Sequence, residues 1–248
     1  MYLHHLTWAE IDAHLERDKG LILPIGSTEQ HGPNGLLGTD CICPETIARH
    51  AAKEGGFLVG PTFNVGSAQH HMAFAGTMTL RPSTMIAAMT DWVNSLAAHG
   101  FERFFWLNGH GGNVPVIEAA FAQIYSQTTI SPRPPGAGPI VLGFRNWWEL
   151  DGVMGLCQKL YPEGHGLHAT PSEVAITYYA YPEHQKSAEM SPKIAPFGPI
   201  RDAADYRKRF PDGRIGSNPA LANTEDGEKL VTTASAALVK LYREFLSS

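Results

Sequence analysis

The amino-acid sequence predicts an α/β protein: a single-domain α/β/α sandwich around a mostly parallel sheet. Two observations carry that prediction. Short apolar runs alternate with longer amphipathic segments, which is the order of strand–helix–strand units. Polar, glycine-rich stretches follow the apolar runs, and a parallel sheet places its ligand sites beyond the carboxyl ends of its strands. No internal repeat or clean boundary divides the 248 residues, so 1–248 is read as one domain.

Thr7 and Glu10 form a capping-box pattern that opens a helix running to about Lys19, where Gly20 stops it. Leu21-Ile22-Leu23-Pro24-Ile25 is compact and apolar, a candidate buried strand, and a polar stretch from Gly26 to Asp40 follows. Pro44 to Glu54 reads as a helix ended by Gly55-Gly56, and Phe57 to Val65 as a second strand. Met85, Ile86, Met89, Val93 and Leu96 recur near the helical period after Pro82-Ser83, with Trp92 in the same core stripe and Gly100 as the stop. Arg103 to Leu107 is a third strand, ending on Asn108-Gly109-His110-Gly111-Gly112-Asn113. Val114 to Tyr125 is helical in pattern, since Pro115 is tolerated in a first turn. The segment from Pro132 to Pro139 reads as a surface loop and Ile140 to Phe144 as a fourth strand. Helices are expected around Leu150–Leu160 and Pro171–Tyr179, little regular structure over 181–222, and a closing amphipathic helix from Glu225 to Phe245.

Composition narrows the function. A net charge of -5 argues against a nucleic-acid surface, and the one basic cluster, Arg207-Lys208-Arg209, lies beside Asp205 and Asp212 as a solvated loop would. No signal peptide or membrane-spanning apolar run is visible, and Cys41, Cys43 and Cys157 suit a reducing, cytoplasmic setting as small core residues. Twelve histidines against 19 fixed cations stand out, because imidazole is both a common metal ligand and a proton carrier near neutral pH. No Gly-x-Ser-x-Gly elbow, His-Glu-x-x-His helix, Walker loop or dinucleotide fingerprint is present.

Three segments concentrate the chemistry. Glu29 and His31, two apart on an extended loop, point to the same side, where one cation or two could meet them. Asp40 follows, placed either to cap a helix or to bridge two metals, and the mixed nitrogen and oxygen donors suit Zn, Mn or Fe. His110 sits at the tip of the third strand between glycines that permit close backbone approach. In the third segment Thr170 caps a helix whose first turn holds Pro171 and Glu173, with His168 just ahead of it and free to reach a cleft.

These segments, in this order and spacing, resemble the creatininase family of metal-dependent amidohydrolases from about Leu21 to Leu230. The matching stretches are Pro24 through Pro33, Leu37-Gly38-Thr39-Asp40, Asn108 through Asn113, and His168-Ala169 followed by Glu173. Weaker ones are Gly66-Ser67 through His71, Gly76 through Leu80, and Gly216 through Gly227. The resemblance implies two divalent metal ions held by Glu29, His31, Asp40 and His110, with Asp40 bridging and Glu173 as a further carboxylate. It implies hydrolysis of an amide bond in a small, cyclic or formamide-like molecule by a metal-activated water. Expelling the amine requires a proton, for which His168 is the expected donor and His71 the alternative. Ser67, His71 and Trp147 are the expected substrate contacts, and a homo-oligomer, a hexamer, is the expected assembly.

The chain departs from the creatinine-hydrolysing members at Gly112, where those carry an acidic ligand, and at Gly164, where those carry tryptophan. A formamide deformylase or a peptide-end hydrolase of the same family is the alternative, and a catalytically silent metal-binding subunit the alternative outside enzymes.

Overall fold

The computed structural model describes residues 1–131 and 138–248. Three strands, β1 (Gly20–Ile25), β2 (Arg103–Asn108) and β3 (Val141–Asn146), pair in parallel in that order. The register aligns Ile25 with Asn108 and Asn108 with Asn146, so all three carboxyl ends open on one edge of the sheet. Eight helices accompany the strands among the described residues: α1 (Trp8–Leu15), α2 (Thr39–Gly55), α3 (Pro82–Ala98), α4 (Val114–Ile130), α5 (Val153–Leu160), α6 (Pro171–Ala180), α7 (Ala203–Arg209) and α8 (Thr224–Ser247).

The period of two along the strands divides the core. Leu21, Leu23, Ile25, Phe104 and Trp106 face Met85, Met89 and Val93 of α3 with Ile117, Ala120 and Ile124 of α4. Ile22, Phe105 and Leu107 face the other way, onto Ile47, Ala48 and Ala51 of α2, Ile176 of α6, and Leu230, Leu238 and Tyr242 of α8. Covering both faces explains why β1 is apolar along its whole length. The α/β/α sandwich expected from the sequence is the fold observed.

Several boundaries differ from expectation. Residues 57–65 make no regular strand: single bridges at Val59 and Phe63 join β1, with the Ile22 and Gly26 N–H groups donating to Leu58 O and Phe63 O. Pro61 lies between those contacts and cannot donate, so the ladder breaks there. Helix α1 ends at Leu15 rather than Lys19. Helix α2 begins at Thr39, not Pro44, which makes Asp40 a first-turn residue and places Pro44 inside the helix. The 181–222 segment is irregular apart from α7 and two single-turn helices, and Arg207-Lys208-Arg209 are the last turn of α7 rather than a loop. The expected loop at Pro132, Pro134, Pro135 and Gly136 lies outside the described residues. Among the described residues no helix is long and apolar enough to cross a membrane.

Candidate metal centre

The loop that leaves β1 turns at Gly32, whose φ of 67° suits glycine, and returns into α2. That path brings Glu29, His31 and Asp40 to the carboxyl edge of the sheet. Gly109 after β2 lies so close to the Asp40 carbonyl that a Cβ there would overlap it. Pro44 deprives that same carbonyl of its helical donor, leaving room for the approach. His110 then meets Asp40 across this contact. From the third side, the capping box of α6 sets Glu173: the Thr170 N–H donates to Glu173 Oε1 at 2.6 Å, and the Glu173 N–H donates to Thr170 Oγ1 at 3.3 Å.

The resulting cluster is buried and tight. His31 Nε2 lies 2.9 Å from Asp40 Oδ1, and His110 Nδ1 lies 3.1 Å from Asp40 Oδ2 and 3.2 Å from Glu29 Oε1. His71 Nε2 is 3.1 Å from Glu29 Oε1, and His168 Nδ1 is 3.9 Å from it. Three groups can each hold a metal ion: Glu29, Asp40 and His110; His31, Asp40 and Glu173; and Glu29, His31 and His168. Asp40 is shared by the first two. Oε2 of Glu29 is buried with no hydrogen-bond partner, while Glu29 Oε1 and Asp40 Oδ2 meet only imidazole nitrogens. An ionised carboxylate in that condition is costly unless a cation completes it, so the donor set fits divalent metal.

Electrostatics follow from the crowding. Burial disfavours the charged form of His31, yet Asp40, Glu173 and Glu29 outweigh it and push His31 up to about 10. His110 is raised in the same way by Glu29 and Asp40 against its burial. Burial would raise Glu29, but His110 and His71 hold it well below the usual carboxylate range. Burial, with repulsion from Asp40 and Glu29, lifts Glu173 to about 7 although His31 and the Thr170 N–H oppose the shift. His168 goes the other way, well below its ordinary value, through burial and the neighbouring His71 and His31.

Outer contacts orient the imidazoles. His31 Nδ1 sits 3.1 Å from Glu29 O and His110 Nε2 3.0 Å from Ser67 O, the kind of second contact that fixes a ligand histidine's ring and tautomer. A cavity of about 210 Å³ lies above the cluster, reached by Asp40, His110, His168 and Glu173 and walled by Trp147, Trp148, Met154, His165 and Leu167. The structure thus brings together the five expected ligands with His168 and places Trp147 on the cavity wall. Ser67 contributes its carbonyl to His110, while its hydroxyl donates to Gln69. His71 meets Glu29 from behind and does not line the cavity. Gly112 has no room for an acidic side chain, because a Cβ there would press on His110 and on Ser67 O. Trp148, paired with Trp147 in the sequence as an aromatic candidate for the pocket, also lines the wall, while sequence reasoning missed Met154 there and Gln30, buried between His71 and His168.

A parallel α/β sheet with buried carboxylates and imidazoles converging beyond its strand ends has the makings of a metal-site protein. The comparisons name the family. The creatininase family model, described as creatinine amidohydrolase, matches residues 4–242, and the chain belongs to the creatininase family. It is 28% identical over 174 residues to a creatinine amidohydrolase of Pseudomonas putida, covering 66% of this chain and 64% of that protein. It is 30% identical over 116 residues to a mycofactocin precursor peptide peptidase of Mycobacterium ulcerans, covering 43% and 46%. The match therefore spans less than two thirds of either relative's length. A mutant creatininase of Zn-Zn type superposes with a TM-score of 0.86 at 25% identity, covering 100% of this chain and 98% of that one.

Proposed function

We propose that this protein hydrolyses a carbon–nitrogen amide bond in a small substrate, cyclic amides included, as a two-metal amidohydrolase. The observation that carries the reading is the pair of candidate ligand groups sharing Asp40, with Glu29 Oε2 buried and unpartnered, beside a small cavity. Glu29, Asp40 and His110 would hold one ion and His31, Asp40 and Glu173 the other, with zinc, manganese or iron all compatible with these donors. When bound, the metals supply Lewis acidity at the substrate carbonyl and a water of lowered pKa.

The chain's own groups do the rest. His168 is neutral at rest, because burial and two neighbouring imidazoles disfavour its charge. It can therefore take a proton at Nδ1, the nitrogen turned to Glu29, before passing one to the departing amine. Trp147, Trp148, Met154 and Leu167 exclude water and set the size of what enters. Among the described residues no lysine or arginine lines the cavity, so apart from the metals themselves a substrate carboxylate would find no cationic side chain there. That favours a neutral small amide or formamide over a peptide end. The protein is proposed to act as one domain, in the cytoplasm, within a homo-oligomer, a hexamer, whose contacts would cover exposed Ile194, Phe197 and Ile200.

The test is metal quantification on untagged protein with turnover assays on creatinine, simple formamides and short peptides. Two equivalents of divalent metal per chain and chelator-sensitive turnover of a small amide are expected. Full metal content with no turnover on any amide would instead support a silent metal-binding subunit. Turnover of peptides alone would move the assignment to a peptide-end hydrolase, and light scattering tests the assembly.

A further inference from the structure

We propose that Gln30 is a positioning residue that sets the proton positions on two histidines, so that His71 presents an N–H and His168 a bare nitrogen to the same carboxylate, Glu29. Gln30 is buried, and its Oε1 accepts the Gly32 N–H at 2.9 Å. That bond orients the amide and turns Nε2 toward three close neighbours, Gly213 O at 3.0 Å, His71 Nδ1 at 2.9 Å and His168 Nε2 at 2.9 Å, with the Tyr206 hydroxyl further off at 3.5 Å. Reversing the amide would set its oxygen against Gly213 O and its NH2 against the Gly32 N–H, two like-group clashes.

Two amide hydrogens must serve three neighbours. Gly213 O can only accept, and takes one. His168 Nε2 also lies 2.9 Å from the Gln30 carbonyl oxygen, which likewise can only accept. His168 Nε2 therefore carries hydrogen and cannot receive another. The second amide hydrogen goes to His71 Nδ1, which must be bare, leaving the His71 proton on Nε2, 3.1 Å from Glu29 Oε1. In His168 the bare atom is Nδ1, the one 3.9 Å from Glu29 Oε1. The two rings stack with centroids 4.4 Å apart, so one residue, through its side-chain amide and its backbone carbonyl, gives opposite hydrogen-bonding character to adjacent imidazoles. Gly213, at φ 87°, carries no side chain that would displace the amide.

The assignment stands on these hydrogen bonds, while its consequence rests on the metal-centre reading above. His71 steadies Glu29 from outside the metal cluster, and outer partners of this kind are worth about 10–100-fold in metal affinity. The experiment is long-range proton–nitrogen NMR of the full chain, metal-free, with nitrogen-15 histidine. Both His71 and His168 are expected as Nε2–H tautomers. In Gln30→Glu the carboxylate accepts from His71, so His71 should gain hydrogen on Nδ1 while His168, held by the backbone carbonyl, stays as it was. His71 found as the Nδ1–H tautomer in the wild type would overturn the proposal, even if the variant fails to fold. So would an unchanged His71 in a Gln30→Glu protein with wild-type circular dichroism. Zinc affinity in His71→Phe should fall about 10–100-fold, and an unchanged affinity would remove the role assigned to His71. None of these readouts depends on amide turnover, so a failed substrate screen leaves them standing.

Discussion

At the residue scale, the centre joins groups whose proton states depend on one another. His31 keeps its proton to about pH 10 in the metal-free chain, whereas a metal ligand must be neutral. Zinc loading at pH 8 should therefore expel about one proton from His31, and zinc affinity should rise with pH up to about 10. Calorimetry in buffers of different ionisation enthalpy reads this directly, and a buffer-independent heat would contradict it. The sign for stability is opposite. A histidine whose folded pKa is raised stabilises fully below its unfolded value of about 6.5 and loses that contribution as pH rises through the folded one. Metal-free protein should accordingly lose thermal stability between those limits, with the His31–Asp40 pair, and metal-loaded protein should not. His168→Ala tests the proton carrier: turnover should drop on the order of 10²–10⁴-fold with metal content unchanged. Full turnover in that variant would return the proton step to another group.

At the element scale, α6 serves both fold and chemistry. Thr170 caps the helix and, through its N–H, holds one oxygen of Glu173. Thr170→Ala should cost about 1 kcal/mol of stability in denaturant titration and should also weaken zinc binding, because the Glu173 N–H loses its Thr170 Oγ1 acceptor and the first turn that presents the carboxylate loosens. The cap was legible in Thr170-Pro171-Ser172-Glu173, because the spacing is local, whereas Glu173 as a ligand rested on the family resemblance. The helix pattern of α2 was legible too, but its start was not: Pro44 is a plausible first-turn residue, and only the tertiary contact of Gly109 with the Asp40 carbonyl shows why the helix begins earlier. Residues 57–65 misled in the same way. They carry the apolar character of a strand, and the interruption at Pro61 reduces it to bridges on β1. Gln30 was invisible for a different reason. Alternation in an extended loop sends it away from Glu29 and His31, and its partners, His71, His168 and Gly213, are distant in sequence.

At the scale of the whole molecule, the proposed ligands sit on one edge of a sheet whose two faces have separate cores. Metal bound only by the native state should stabilise it by mass action, so chelation should lower the melting temperature and zinc or manganese should restore it. No restoration would separate metal binding from the folded state. Core truncation far from the site should act on stability alone: Leu238→Ala in α8 is expected to cost about 2–5 kcal/mol, read by chemical denaturation, with metal stoichiometry intact where the variant folds. The α/β class was readable from the alternation of elements, since that pattern repeats along the chain. The convergence of Glu29 and Glu173 was readable only through family resemblance, because no local rule relates residues so far apart.

Helix α2 carries Asp40, yet the apolar side of α2 rests on α6 and α8. A ribosome making this chain completes Glu29, Asp40 and His110 early, while the surface that steadies α2 emerges later, with α6 and α8. The nascent protein should thus hold no ordered metal centre until α8 is released. Deleting residues 224–248 should abolish stoichiometric zinc binding although every proposed ligand remains, and zinc retention by that truncated chain would show that the site assembles without its late partner.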